Sequence, residues 1–82
     1  LSPSLANARY GIAMVHRRQG HWLETLQTLY EVERIDPANP EYAQEISVTA
    51  MSGRRYAEAE VALRRAVALG RTEEQRAVVL RD

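Results

Sequence analysis

Two histidines and a neighbouring carboxylate, His16, His21 and Glu24, are the residues in this chain best suited to hold a transition metal. The histidines are five positions apart, a spacing that puts them on different faces of a continuous helix, and a turn is expected between them at Gly20. We therefore interpret His16 as a packed, hydrogen-bonded residue. We predict no metal site and no cofactor.

Closely spaced carboxylates could carry out acid and base chemistry if an apolar pocket shifted their pKa values. The candidate pairs are Glu31 with Glu33, Glu58 with Glu60, and Glu73 with Glu74. Each pair lies in a polar helical stretch with Arg close by, which is typical of a solvated surface. The chain also has no Gly-rich elbow around a Ser and no phosphate-binding loop. We predict that it is not an enzyme and has no catalytic residues.

Arginine pairs occur three times, at Arg17-Arg18, Arg54-Arg55 and Arg64-Arg65, and could contact nucleic acid. However, eleven basic residues balance eleven acidic ones, so no net field attracts a polyanion. We interpret these arginines as surface charge paired with Glu58 and Glu60 at helical spacing or placed near helix C-termini. No nucleic-acid partner is predicted.

Composition leaves the cellular compartment open. The chain has no Cys, so no disulfide framework is expected. No stretch approaches the roughly 18 consecutive apolar residues of a membrane span, and we predict no membrane insertion. All basic residues are Arg and none is Lys, which we attribute to a GC-rich bacterial genome, so cytoplasm and periplasm are both allowed.

Apolar residues recur at intervals of three and four, the signature of amphipathic helices. The pattern predicts five helices, near residues 5–19, 21–35, 40–52, 55–69 and 72–81. Asn39 and Pro40 suit the start of the third helix. Gly70 suits a helix end, and Thr72 with Gln75 has the spacing of a capping box for a new helix.

The chain also repeats itself. A shift of 34 residues superposes similar residues along its length. The matched sets are Leu1, Ile35 and Leu69; Pro3 and Pro37; Ile12, Ile46 and Leu80; Trp22 and Tyr56; Leu29 and Leu63; and Val32 and Ala66.

This 34-residue unit resembles the tetratricopeptide repeat (TPR) family. The first unit matches it at Ile12, Ala13, Gly20, Trp22, Leu29, Val32, Asp36 and Pro37, and the second at Ile46, Ser47, Gly53, Tyr56, Ala59, Leu63 and Ala66. The departures from the family pattern are Arg9, Ala43, His16, Ala50, Thr25 and Arg71.

The resemblance implies an all-α, right-handed α-solenoid of antiparallel helix pairs. Its units would be about 6–39 and 40–71, followed by a terminal helix at 72–82, within one segment 1–82 of a longer protein. Ala13, Ser47, Ala59 and Ala66 would let the helices approach closely, and Trp22, Leu29, Tyr56 and Leu63 would fill the core between them.

In the family the first helix of each unit lines a concave face. By helical spacing from the core residues Ile12 and Ala13, a peptide-binding groove would use side chains from the first and third helices. The predicted groove residues are Asn7, Tyr10, Met14, Arg17 and Arg18 on the first helix and Glu41, Gln44, Glu45, Val48 and Met51 on the third. The expected groove has an apolar strip, a basic edge at Arg17 and Arg18, and an acidic edge at Glu41 and Glu45.

The resemblance implies a protein-protein interaction module that binds a peptide or helix of a partner. The alternative is a structural spacer or oligomerisation segment of a larger bacterial envelope, secretion or polysaccharide-export scaffold, or of a multidomain enzyme. Apolar faces at the ends, including Leu5, Val78, Val79 and Leu80, lead us to expect self-association as a homo-oligomer. A carboxylate clamp of the kind found in some family members is not expected, because Lys is absent.

Overall fold

A computed structural model describes the backbone of residues 3–81 and the side chains of residues 5–72. Within residues 3–81 the secondary structure is entirely helical, which confirms the predicted all-α class. The four helices are α1 (Pro3–Arg18), α2 (Trp22–Ile35), α3 (Pro40–Ser52) and α4 (Tyr56–Arg81). The connections between them are three or four residues long, so successive helices run antiparallel.

The start of α3 confirms the predicted capping signal. Asn39 has extended backbone angles, and its side-chain oxygen accepts a hydrogen bond at 3.0 Å from the backbone N–H of Glu41. Pro40 occupies the first helical turn, where its missing N–H has no intrahelical partner to lose.

The turn inside each helix pair repeats at the level of the backbone. Gly20 and Arg54, which are equivalent under the 34-residue shift, both have positive φ values, of 78° and 61°. The N–H of Gly20 bonds to the carbonyl of Arg17, and the N–H of Arg54 bonds to that of Met51. Both turns therefore end their helices in the same way, although only one has the glycine that favours this conformation.

The predicted helix break at Gly70 is wrong, because α4 continues without interruption from Tyr56 to Arg81. The Thr72 hydroxyl donates to the carbonyl of Ala68, which is an interior helical contact rather than a cap. A single Gly costs a helix only about 1 kcal/mol, and Arg71 stands where the repeat pattern would place a proline. The proposed capping partner Gln75, like Val78, Val79 and Leu80, lies outside the residues whose side chains are described.

The helices form two layers. Each packs on the next in chain order, and side chains also connect alternate helices. Tyr10 of α1 meets Tyr42 of α3, while Arg65 of α4 binds Glu33 of α2 through two hydrogen bonds of 2.7 and 3.0 Å. The α1 and α3 side chains thus form one face of the molecule, and those of α2 and α4 form the opposite face.

The core lies between the layers and is made of small and aliphatic side chains. Leu29 of α2 and Ile46 of α3 are fully buried at its centre, together with the closely packed alanines. The main cluster comprises Ala13, Leu26, Leu29, Ile46, Ala50, Ala59 and Ala62. A second cluster joins Ala6, Val32 and Tyr42. The expected close packing at Ala13, Ser47 and Ala59 is confirmed by their burial, and Ala66 is half-buried.

Three residues expected in the core are exposed instead. The repeat pattern predicts core positions at Ile12 on α1 and at Tyr56 and Leu63 on α4, but their exposed fractions are 48%, 61% and 51%. The repeat equivalents of Ile12 and Leu63 are Ile46 and Leu29, which are buried because α2 and α3 cover each other, whereas Trp22, the equivalent of Tyr56, is partly exposed. In residues 5–72, nothing covers the outer sides of α1 and α4.

Trp22 packs across the boundary between the two helix pairs. A Cβ atom placed on Gly53 would lie 2.5 Å from two carbons of the Trp22 ring, so the indole rests directly on the Gly53 backbone. About a third of Trp22 remains exposed, so it seals the edge of the core rather than filling its centre. The glycine is needed here for space and not for its φ, which is −87°.

We expect Gly53→Ala to lower the free energy of unfolding by about 1–3 kcal/mol, because the new methyl group must displace the Trp22 ring. Gly11→Ala is the matched control, since an added Cβ there meets no atom within 4 Å. It should stabilise α1 by about 0.5–1 kcal/mol by reducing backbone entropy. Urea unfolding followed by circular dichroism measures both free energies of unfolding. A Gly53→Ala variant as stable as the wild type would disprove the contact.

Tyr30 connects α2 to α4 through a carboxylate. Its hydroxyl donates a hydrogen bond to Glu58, which also receives one from Arg55 at 2.5 Å. Burial first, and then the Glu58 hydrogen bond and charge, raise the pKa of Tyr30 to about 12. The same hydrogen bond, helped by Arg55, lowers the pKa of Glu58.

This arrangement predicts an alkaline loss of stability. The folded chain keeps the Tyr30 proton up to about pH 12, whereas the unfolded chain releases it near the ordinary pKa of 10.0. The stabilisation is therefore complete below pH 10 and is lost as the pH rises to about 12. Tyr30→Phe should lower the unfolding free energy at pH 7 by about 1 kcal/mol. It should also remove the fall in unfolding free energy between about pH 10 and pH 12. The control is Tyr56→Phe, at an exposed ring, which should leave stability at pH 7 unchanged. An unaltered alkaline slope in Tyr30→Phe would contradict the assignment.

Candidate interaction face

The predicted groove residues all lie on α1 or α3, the helices that share one face of the molecule. Tyr10 and Met14 are half-buried and pack against the core. The Tyr10 ring lies 5.7 Å from that of Tyr42, centroid to centroid, at a tilt of 47°. Burial, and then the charges of Glu45 and Glu41, raise the pKa of Tyr10. Tyr10 and Met14 therefore form the floor of the face and do not project from it.

The expected basic and acidic edges meet each other. Arg17 of α1 and Glu45 of α3 form an ion pair with a nitrogen-oxygen distance of 2.6 Å, across the line between the two helices. Both side chains keep some solvent contact. The separation of charge that the sequence predicts is therefore partly cancelled within the face itself. Arg18 and Glu41 are exposed, and neither has an ion-pair partner among residues 5–72.

The C-terminal half of α3 carries exposed apolar side chains. Val48 and Met51 are both exposed, at 41% and 57%. With Ser47 and Ser52 they line an open depression of about 340 Å³ whose walls are mostly apolar. Gln44 and Asn7 are also exposed on α3 and α1. An apolar side chain of a partner could enter this depression. The Arg17–Glu45 ion pair could make polar contacts with the same partner.

A second depression was not predicted from the sequence. It measures about 260 Å³ and lies where the ends of α1 and α3 meet the turn before α2, lined by Arg17, Gly20, Trp22, Thr25, Thr49 and Ser52. Thr25 is fully buried, and its hydroxyl donates to the carbonyl of His21. The buried Thr49 hydroxyl oxygen has no hydrogen-bond partner in the part of the chain whose side chains are described. Thr25 and Thr49 share no sequence motif, so only the crossing of the helices brings them together.

The two histidines lie close together, although their spacing predicts different faces of a helix. The turn at Gly20 brings the His16 and His21 ring centroids to 6.3 Å, and His21 Nδ1 lies 3.6 Å from Glu24. The buried Nδ1 of His16 has no hydrogen-bond partner among the described residues, contrary to our expectation of a hydrogen-bonded residue. In the part of the chain that the structure describes, no group of three or more candidate ligands could hold a metal ion.

The arginine pairs of α4 and its preceding turn contact carboxylates. Arg55 binds Glu58, and Arg64 binds Glu60 at 2.7 Å, which confirms the predicted pairing at helical spacing. Arg65 reaches across to Glu33 on α2, a long-range partner that helical spacing alone could not reveal. The pair Glu73 and Glu74 lies outside the described side chains.

Comparison with known proteins yields no match to a family model, to a curated protein or to a solved structure. Among the helices of residues 3–81, none combines the length and apolar character needed to cross a bilayer.

The Arg17–Glu45 pair can be tested by a double-mutant cycle with alanine at each position. Because both partners contact solvent, we expect a coupling of about 0.2–1 kcal/mol that weakens in about 1 M salt. Arg64 and Glu60, an exposed pair on one helix, give a matched cycle with an expected coupling of about 0.3–0.5 kcal/mol. A zero coupling for Arg17 and Glu45 at low salt would show that the pair does not hold α1 to α3.

Proposed function

We propose that this chain is a protein-protein interaction module of a TPR-like, right-handed helical solenoid, and that the α1–α3 face binds an extended or helical peptide of a partner protein. Three features support the architecture: the 34-residue repeat, the equivalent turns at Gly20 and Arg54, and the two layers of alternating helices. The groove of such a solenoid is formed by the first helix of each unit.

The observation that carries the proposal is the exposure of Val48 and Met51 on α3, the helix that also supplies Glu45 to the ion pair with Arg17. An open apolar depression on a helix that also carries one member of an ion pair suits a peptide with an apolar anchor flanked by charged residues. It suits a phosphate backbone poorly, because the arginine already has an acidic partner and the chain has no net charge.

A displayed library of random peptides tests this directly. The wild-type chain should enrich sequences with one or two large apolar residues next to an acidic and a basic residue. Val48→Glu should weaken binding of the enriched peptide at least about tenfold, since it places a charge in the apolar depression. Val61→Glu is the control, at an equally apolar, exposed position on α4 outside the face.

A charge exchange sharpens the test. The double variant Arg17→Glu, Glu45→Arg keeps an ion pair between α1 and α3 but reverses its direction, so the selected peptides should exchange the order of their charged residues. Failure of the wild-type chain to enrich any sequence, or equal binding by Val48→Glu, would exclude this face as the binding site.

A further inference from the structure

We propose that the outer face of α4 binds the outer face of α1 in a second copy of this chain, so that copies associate head to tail. This inference concerns the two ends of the helix stack and is independent of the proposed peptide face. It rests on how the repeat distributes burial among equivalent residues.

The α2–α3 contact provides the template. Its centre is formed by Leu29 on α2 and Ile46 on α3, both with 0% of their surface exposed. The 34-residue shift makes Leu63 on α4 the equivalent of Leu29, and Ile12 on α1 the equivalent of Ile46. Leu63 is 51% exposed and Ile12 is 48% exposed. The chain therefore carries a second version of each side of its α2–α3 interface, one on α4 and one on α1. Both of these second versions are exposed.

The equivalence extends along both helices. On α1 the exposed stripe consists of Ala8, Ile12 and Val15, whose equivalents on α3 are the buried residues Tyr42, Ile46 and Thr49. On α4 the exposed stripe consists of Tyr56, Leu63 and Val67, whose equivalents on α2 are the partly exposed Trp22, the buried Leu29 and the half-buried Glu33. These stripes follow intervals of three, four and seven residues, so each is one continuous face of its helix. They are the open ends of the same stacking arrangement.

Polar substitutions within the two faces are complementary. Leu26 of α2 and Ala50 of α3 belong to the central apolar cluster, and their equivalents on the outer faces are Glu60 and His16. Placed against each other in two copies, these would bring a carboxylate next to an imidazole. Two like faces would instead bring Glu60 near Glu60, or His16 near His16.

A second charged contact follows from the same register. Tyr30 and Glu58 meet between the two helix pairs, and their equivalents at the proposed contact are Arg64 of one copy and Glu24 of the next. Both side chains are exposed, at 79% and 49%, although Arg64 also binds Glu60 on its own helix. This opposite-charge match favours the α4 face against the α1 face of another copy over either face against itself.

The long α4 is compatible with this contact. The residues that correspond to α2 end at Leu69, and α4 continues as one helix to Arg81, beyond the paired stripes. The contact joins two different faces, so it is heterologous and leaves a free face at each end. Association should therefore extend beyond a dimer as the concentration rises.

Sedimentation equilibrium of the wild-type chain and two single variants tests the inference. Ile12→Glu blocks the α1 face, and Leu63→Glu blocks the α4 face. We expect the wild-type average mass to rise past that of a dimer, and each variant alone to remain monomeric. An equimolar mixture of the two variants should form a one-to-one dimer that grows no further, because each supplies the face that the other lacks.

Controls separate this result from loss of folding. Both positions are exposed, so helicity by circular dichroism should be unchanged, and Val61→Glu, on another side of α4, should associate like the wild type. A wild-type chain that stays monomeric at millimolar concentration would overturn the proposal. So would a variant that still forms dimers alone, which would indicate pairing of like faces, or a mixture that remains monomeric.

Discussion

The structure depends on the burial of Leu29 and Ile46 in one apolar cluster, where the first helix pair meets the second. Full burial of such side chains contributes about 1.5–3 kcal/mol each, whereas an ion pair with solvent contact contributes about 0–1 kcal/mol. The apolar contact therefore holds α2 on α3. The Arg17–Glu45 and Arg65–Glu33 pairs form because that contact has already placed alternate helices next to each other.

Features set by short-range chemistry could be predicted from the sequence. Asn39 and Pro40 specify the start of α3 through one side-chain hydrogen bond and one missing donor, and the start is where they indicate. The break expected at Gly70 did not occur, because a lone glycine is a weak signal. Its cost is about 1 kcal/mol, and the flanking residues are mostly good helix formers. In the first unit Asp36 and Pro37 follow the helix directly, and there the chain does turn.

Burial could be predicted only where the neighbouring helix lies within the chain. Ile12 and Ile46 occupy the same repeat position and carry the same side chain, yet one is half exposed and the other fully buried. The residue type fixes which side of the helix is apolar, and the adjacent helix decides whether that side is covered. The candidate face shows the same limit. Helical spacing placed Arg17 and Glu45 on one side of their helices, but their direct contact depends on how closely α1 and α3 approach.

The same dependence allows the two proposed interaction surfaces to lie on separate sides of one small chain. Tyr10, Met14 and Arg17 lie roughly half a turn around α1 from Ala8, Ile12 and Val15, given about 100° per residue. A peptide on the first set and another copy on the second would therefore touch opposite sides of α1. Stacking would also extend the peptide-binding face, because each added copy brings its own α1 next to α3 of the previous one. Occupancy of the ends would then lengthen the groove without competing for it.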